Sequence, residues 1–60
     1  MTHKTPDQLA RGDRILLDGR TSTVHSCVFS SAYGWRLNAV AVDGERISLH
    51  VHVADHFELV

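Results

Sequence analysis

The stretch from Trp35 to Val53 constrains the fold more than any other part of the chain, because it permits only one sensible pairing. Trp35, Leu37, Ala39 and Ala41 recur at every second position, and Ile47, Leu49, Val51 and Val53 do the same beyond an Asp43-Gly44 turn signal. A period of two puts each set on one face of an extended strand. A two-residue Asp43-Gly44 loop would pair Val42 with Glu45 and Leu37 with His50, sending the two apolar rows to opposite sides of the sheet. A three-residue loop, Val42-Asp43-Gly44, pairs Ala41 with Glu45, Ala39 with Ile47, Leu37 with Leu49 and Trp35 with Val51, so that both rows face one core. Register follows the buried face, and a type I turn with Gly44 in the left-handed position is a common hairpin loop. The three-residue loop is therefore predicted. The opposite face then carries Arg36, Asn38, Val40, Arg46, Ser48, His50 and His52, with Arg36 across from His50 and Asn38 across from Ser48.

The rest of the chain reads as strands divided by turns. Residues 1–4 are expected to form a loose tail. Thr5-Pro6-Asp7-Gln8 is a helix start, with Thr5 as cap, Pro6 at the first helical position and Gln8 completing a capping box; Gly12 limits it to one turn, Pro6 to Ala10, with Leu9 turned to the core. Strands are predicted over Asp13–Leu17, Arg20–Phe29 (long and bent), Trp35–Val42, Glu45–Val53 and Phe57–Val60. Asp18-Gly19 makes a tight turn, Ser30–Gly34 a polar loop holding Tyr33, and Ala54–His56 a 3₁₀ turn.

A chain of 60 residues is one domain, with residues 5–60 as its folded part. A domain this small buries only about 60% of the surface its unfolded chain exposes, so economical packing or a partner subunit must support it, and homodimerisation stays open. The single cysteine, Cys27, excludes an intramolecular disulfide framework and a four-cysteine zinc site. A disulfide-free small domain points to a reducing cytoplasm. No apolar run resembles a signal peptide or approaches the length of a membrane span, so no membrane association is expected. The formal net charge is −1, far from the basic balance of a generic nucleic-acid binder. The preference for Arg, Ala and Val over Lys and Ile hints at a GC-rich bacterial or phage genome.

Several short antiparallel strands in so short a chain suggest a small barrel or sandwich. The stretch Leu9-Ala10-Arg11-Gly12-Asp13-Arg14-Ile15, followed by Asp18-Gly19, resembles the opening of SH3-like barrels, among them KOW-type, translation-factor and intein-related modules. The resemblance covers most of the chain in order of elements but only about a dozen positions in identity, and it implies a fold rather than a function. The fold it implies is all-β: a five-stranded antiparallel SH3-like barrel with a short N-terminal helical turn. Met1-Thr2 lacks the nucleophile that intein-type splicing needs, and Tyr33 and Trp35 with scattered acids do not make the aromatic, acidic groove of peptide-binding SH3 domains.

Among candidate sites, His50-Val51-His52 projects two imidazoles from one face of a strand, with Cα atoms about 7 Å apart. A third metal ligand would have to be His56, His25 or Glu58, and none is fixed by spacing; no metal site and no cofactor are expected. Arg36 and Arg46, with His50 and His52, offer forked contacts to phosphate or carboxylate. Their plainer role is a solvated sheet face. Tyr33 stands at a loop tip where aromatics anchor interfaces or stack on bases, whereas Trp35 heads the inward row, with Tyr33 capping it. Cys27 beside His25 lacks the orienting third group of a nucleophile and reads as a small buried hydrophobe. Asp13, Asp18 and Asp43 adjoin glycines and serve turns.

No acid–base–nucleophile set emerges, and a filled barrel leaves no pocket of a few hundred Å³, so an enzyme is not expected. The expected function is a non-catalytic protein-binding module, of bacterial accessory or phage type, that docks on another protein through a sheet face or strand edge. The alternative is a nucleic-acid-binding barrel. The candidate contacts are Tyr33, Arg36, Asn38, Arg46, Ser48, His50 and His52. Edge pairing of Phe57–Val60 is the expected route to a homodimer.

Overall fold

In the computed structural model, which describes residues 2–60, turn chemistry divides the chain into antiparallel strands. They are β1 (His3–Lys4), β2 (Arg14–Leu17), β3 (Arg20–Ser30), β4 (Gly34–Ala41), β5 (Arg46–Val51) and β6 (Phe57–Glu58), with a 3₁₀ turn at Pro6–Gln8. β2-β3-β4-β5 form a four-stranded meander, and β1 pairs with β6 in a second, two-stranded sheet. The all-β antiparallel class is as expected. The strand count is six rather than five, and neither sheet closes into a barrel.

The hairpins explain the meander. Asp18 and Gly19 both have positive φ, 49° and 76°, the backbone a two-residue primed turn requires, and the turn sets Leu17 opposite Arg20. At the other end, Gly44 N–H donates to Ala41 C=O (2.9 Å) and Ala41 N–H to Glu45 C=O (2.8 Å), with Gly44 at φ 92°. This is the predicted three-residue loop. It delivers Trp35↔Val51, Arg36↔His50, Leu37↔Leu49, Asn38↔Ser48 and Ala39↔Ile47. The bend in β3 is a β-bulge at His25: Val24 faces Ala39 while Ser26 faces Asn38. One extra residue shifts the side-chain alternation, so Ser22 and Val24 point inward before the bulge and Cys27 after it, with Phe29 in the same phase but largely exposed beyond the core.

The core is small. Ile15, Val24, Leu37 and Phe57 form its centre, with Leu9, Leu17, Cys27, Leu49, Val51 and Leu59 packed around them. Phe57 is the contribution of β6, which crosses the inner face and is held on both sides. Lys4 and His3 pair with Phe57 and Glu58, and Ile15 bridges Leu59. Val60 N–H donates to Arg14 C=O at 3.0 Å. His3 and Lys4, expected in a loose tail, are thus part of a sheet, and a Lys4–Asp13 ion pair at 3.0 Å ties them to the loop before β2. Met1, the first residue of that tail, lies outside the described residues. The edge of Phe57–Val60, expected to invite a second copy, is occupied within the chain.

Three local expectations are corrected. The helical turn stops at Gln8 rather than Ala10, because the Asp13 carboxylate accepts from Ala10 N–H (2.9 Å) and Asp13 N–H returns to Ala10 C=O (3.1 Å), turning the chain into β2. β5 ends at Val51 rather than Val53, because the Asp55 carboxylate takes His52 N–H at 2.8 Å and Asp55 N–H donates to His52 C=O at 2.9 Å. That exchange closes a β-turn over His52–Asp55 in place of the expected 3₁₀ turn at Ala54–His56. Trp35 is half-buried and outside the core centre, stacked obliquely on Phe29 (centroids 5.5 Å) where the inner row overruns the core.

Candidate functional site: the outer sheet face and the β5 edge

Strand alternation sorts the polar side chains. With Ile15, Val24, Leu37 and the Ile47/Leu49 row turned inward, the outer face of the meander carries Arg14 and Leu16 from β2, then Thr21, Thr23, Ser26 and Val28 from β3. β4 adds Arg36, Asn38 and Val40, and β5 adds Arg46, Ser48 and His50. β2, β3, β4 and β5 contain no aspartate or glutamate. The acids sit in turns, in the 3₁₀ segment and on β6. Arg20 is the one strand arginine they reach, donating to Glu45 at 3.0 Å and lying 3.7 Å from Asp43. Among the described residues, Arg14, Arg36 and Arg46 have no carboxylate partner. A chain of net charge −1 therefore presents one face of positive sign.

Of the seven predicted contact residues, six lie on this face or beside it. Tyr33, Arg36 and His50 come together: Arg36 Nη2 directs an N–H toward His50 Nε2 at 3.5 Å, and the Tyr33 ring stands 6.3 Å from the His50 ring. With Val28, Ser30 and Gly34 they line an open depression of about 550 Å³. Tyr33 thus leans to the outer side and does not cap Trp35. Further along the face, Asn38 donates to Ser26 Oγ at 3.1 Å, and Asn38, Arg46 and Ser48 with His25 and Val40 line a second depression of about 370 Å³.

His52 does not join them. Its backbone is held by Asp55, and its Nδ1 accepts from Ala54 N–H at 3.1 Å, so the imidazole serves the turn. The two-histidine strand pattern is therefore broken at its second member. Among the described residues, no three His, Cys, Asp or Glu side chains converge as metal ligands would.

The expected absence of a pocket of a few hundred Å³ rested on a filled barrel, and the sheet is not closed into one. Because β5 does not close onto β2, a third depression of about 440 Å³ runs between Leu17 at the end of β2 and Ile47 and Leu49 on the inner side of β5. The sequence reading missed Arg14 and Val28 as members of the outer face. Arg14 was signalled by its alternation with the inward Ile15. Val28 was hidden until the bulge at His25 fixed the phase of β3.

The edge strands differ in the same respect. β2 is covered by Leu59 and Val60. Among the described residues, β5 pairs with β4 on one side and with no strand on the other. In an antiparallel ladder, bonded and non-bonded pairs alternate. Ala41 N–H bonds to Glu45 C=O, so Ile47, Leu49 and Val51 turn their backbone groups to β4, and Arg46, Ser48 and His50 turn theirs outward.

Comparison with protein-family models, with curated proteins and with solved structures finds no match for this chain. Among the described residues, no helix is long and apolar enough to cross a membrane.

Proposed function

We propose that this chain is a non-catalytic module that binds another protein through the outer face of its meander, an accessory protein of bacterial or phage type working in a reducing cytoplasm. The observation that carries the reading is the composition of that face. Val28 (55% exposed), Tyr33 (75%) and Val40 (37%) stand in solvent, interleaved with Arg14, Arg36 and Arg46, which have no carboxylate partner among the described residues. Protein interfaces favour exposed apolar and aromatic groups beside arginine. The element order of an SH3-like barrel, although unclosed, belongs to the same proposal.

The absence of acids from β2–β5 favours a second reading, a nucleic-acid-binding face with Tyr33 as a stacking group. One experiment separates the two. Wild type and an Arg36→Ala/Arg46→Ala variant are immobilised and exposed to a nuclease-treated bacterial lysate, and each is run on a sizing column with a random DNA duplex. A protein retained by wild type and lost by the variant supports the first reading. A DNA complex that dissociates steeply between about 50 and 200 mM salt, with no protein retained, overturns it in favour of the second.

A further inference from the structure

The β5 edge narrows the partner's chemistry, given the reading of the domain as a protein-binding module. Arg46, Ser48 and His50 direct their backbone groups away from β4, and an open row of this kind is a template for one more strand. Two depressions flank the row, and both include Arg46, Ile47 and Ser48 in their walls. The outer one, of about 370 Å³, is lined by His25, Asn38, Arg46 and Ser48 together with the apolar Ala39, Val40 and Ile47, and its one strong cation has no carboxylate among the lining residues. The inner one, of about 440 Å³, sets Leu17, Ile47 and Leu49 beside the charged side chains of Asp18, Arg20 and Glu45. A strand laid beside β5 sends alternate side chains to the two sides, so its residues meet in turn the outer row of Arg46, Ser48 and His50 and the inner row of Ile47 and Leu49.

We infer that β5 receives an extended segment of a partner protein as a fifth strand of the meander, one in which acidic residues alternate with apolar ones. Its acidic side chains lie over Arg46, Asn38 and Ser48, and its apolar ones against Leu17, Ile47 and Leu49. Backbone bonds to Arg46, Ser48 and His50 supply register, and the arginine supplies the choice of charge. A second copy of this chain fits the edge less well. Antiparallel self-pairing about Ser48 would set Arg46 beside the partner's His50 and join two faces of the same sign.

The test uses the full chain, ¹⁵N-labelled, with three synthetic probes: acetyl-Glu-Val-Glu-Leu-Glu-Val-Glu-amide, its lysine counterpart, and the glutamate peptide N-methylated at alternate residues. The expected result is saturable shifts and slowed amide exchange at Arg46, Ser48 and His50 with the glutamate peptide alone. Ser48→Pro deletes the central outward N–H at an edge position where proline is tolerated and should weaken binding about tenfold. Arg46→Glu leaves the backbone intact and should abolish the preference for glutamate over lysine. Equal binding of both charges, equal binding of the N-methylated peptide, or shifts confined to other strands overturns the inference. So does protection of the same amides by a doubling of mass without peptide, which would assign the edge to a second copy. These failures leave the module reading standing if the lysate protein is still lost in the Arg36→Ala/Arg46→Ala variant, and that reading falls separately if only DNA is bound.

Discussion

Leu37→Ala is the sharpest perturbation of the core. Leu37 is 0% exposed, sits between Cys27 of β3 and Leu49 of β5, and packs with Ile15, Val24 and Phe57. Truncation removes three carbon groups, about 2.4 kcal/mol of transfer free energy at about 0.8 kcal/mol each. The cavity left behind raises the cost of such changes to about 2–5 kcal/mol. The surrounding residues come from four strands held by ladder bonds, so the space cannot collapse freely, and about 3 kcal/mol is expected. Stabilities of about 0.05–0.15 kcal/mol per residue give a chain of this length about 3–9 kcal/mol in all, and small single-core domains lie at the low end. The variant should therefore be close to half unfolded at room temperature. Urea unfolding followed by the fluorescence of Trp35, the single tryptophan, reads this directly. Val42→Ala, at a residue 78% exposed, is the control and should change stability by less than about 0.5 kcal/mol. If the two variants differ by no more than that, the placement of Leu37 at the centre of the core is wrong.

Other expectations follow from single residues. Gly44→Ala forces a side chain onto a backbone at φ 92° and should cost about 1 kcal/mol or more in the same urea assay; an unchanged midpoint would contradict the hairpin loop. Ala10 N–H and the Lys4 ammonium hold the Asp13 carboxyl below its ordinary pKa. Because the folded value is depressed, its stabilisation is complete above the unfolded pKa and is lost as pH falls through the folded one. Asp13→Asn should accordingly lower Tm at neutral pH, with the gap to wild type closing in acid; a gap independent of pH would refute the assignment. Burial pushes the Cys27 thiol up, so a thiol reagent at neutral pH should react slowly with the native protein and faster in urea, and equal rates would place Cys27 outside the inner row.

The parts of the fold that were legible in the sequence are those decided locally. The β4–β5 register could be read because only one loop length turns Leu37 and Leu49 to the same side. The Asp18-Gly19 turn could be read because both residues tolerate positive φ. The outer face was legible as far as alternation carried it, through Arg36, Asn38, Arg46, Ser48 and His50. Closure was not legible. It depends on where Phe57–Val60 goes, and that segment spends its pairing on His3 and Lys4 through β6 and on Ile15 through Leu59, with Phe57 packed into the core. His52 was misplaced for a different reason. Val51-His52-Val53 alternates like a strand, but the Asp55 carboxylate three residues on competes for His52 N–H and turns the chain. The cationic character of the face was legible through Arg36, Arg46 and His50 despite a net charge near zero, because each of Asp13, Asp18 and Asp43 stands beside a glycine and so belongs to a turn.

Amide hydrogen exchange along β5 in the free protein tests the open edge most directly. The account predicts alternation, with Ile47, Leu49 and Val51 protected by β4 and Arg46, Ser48 and His50 exchanging at close to the rates of an unstructured chain. Uniform protection from Arg46 to Val51 would contradict it, since the edge would then be closed, either onto β2 as a barrel or onto a second molecule.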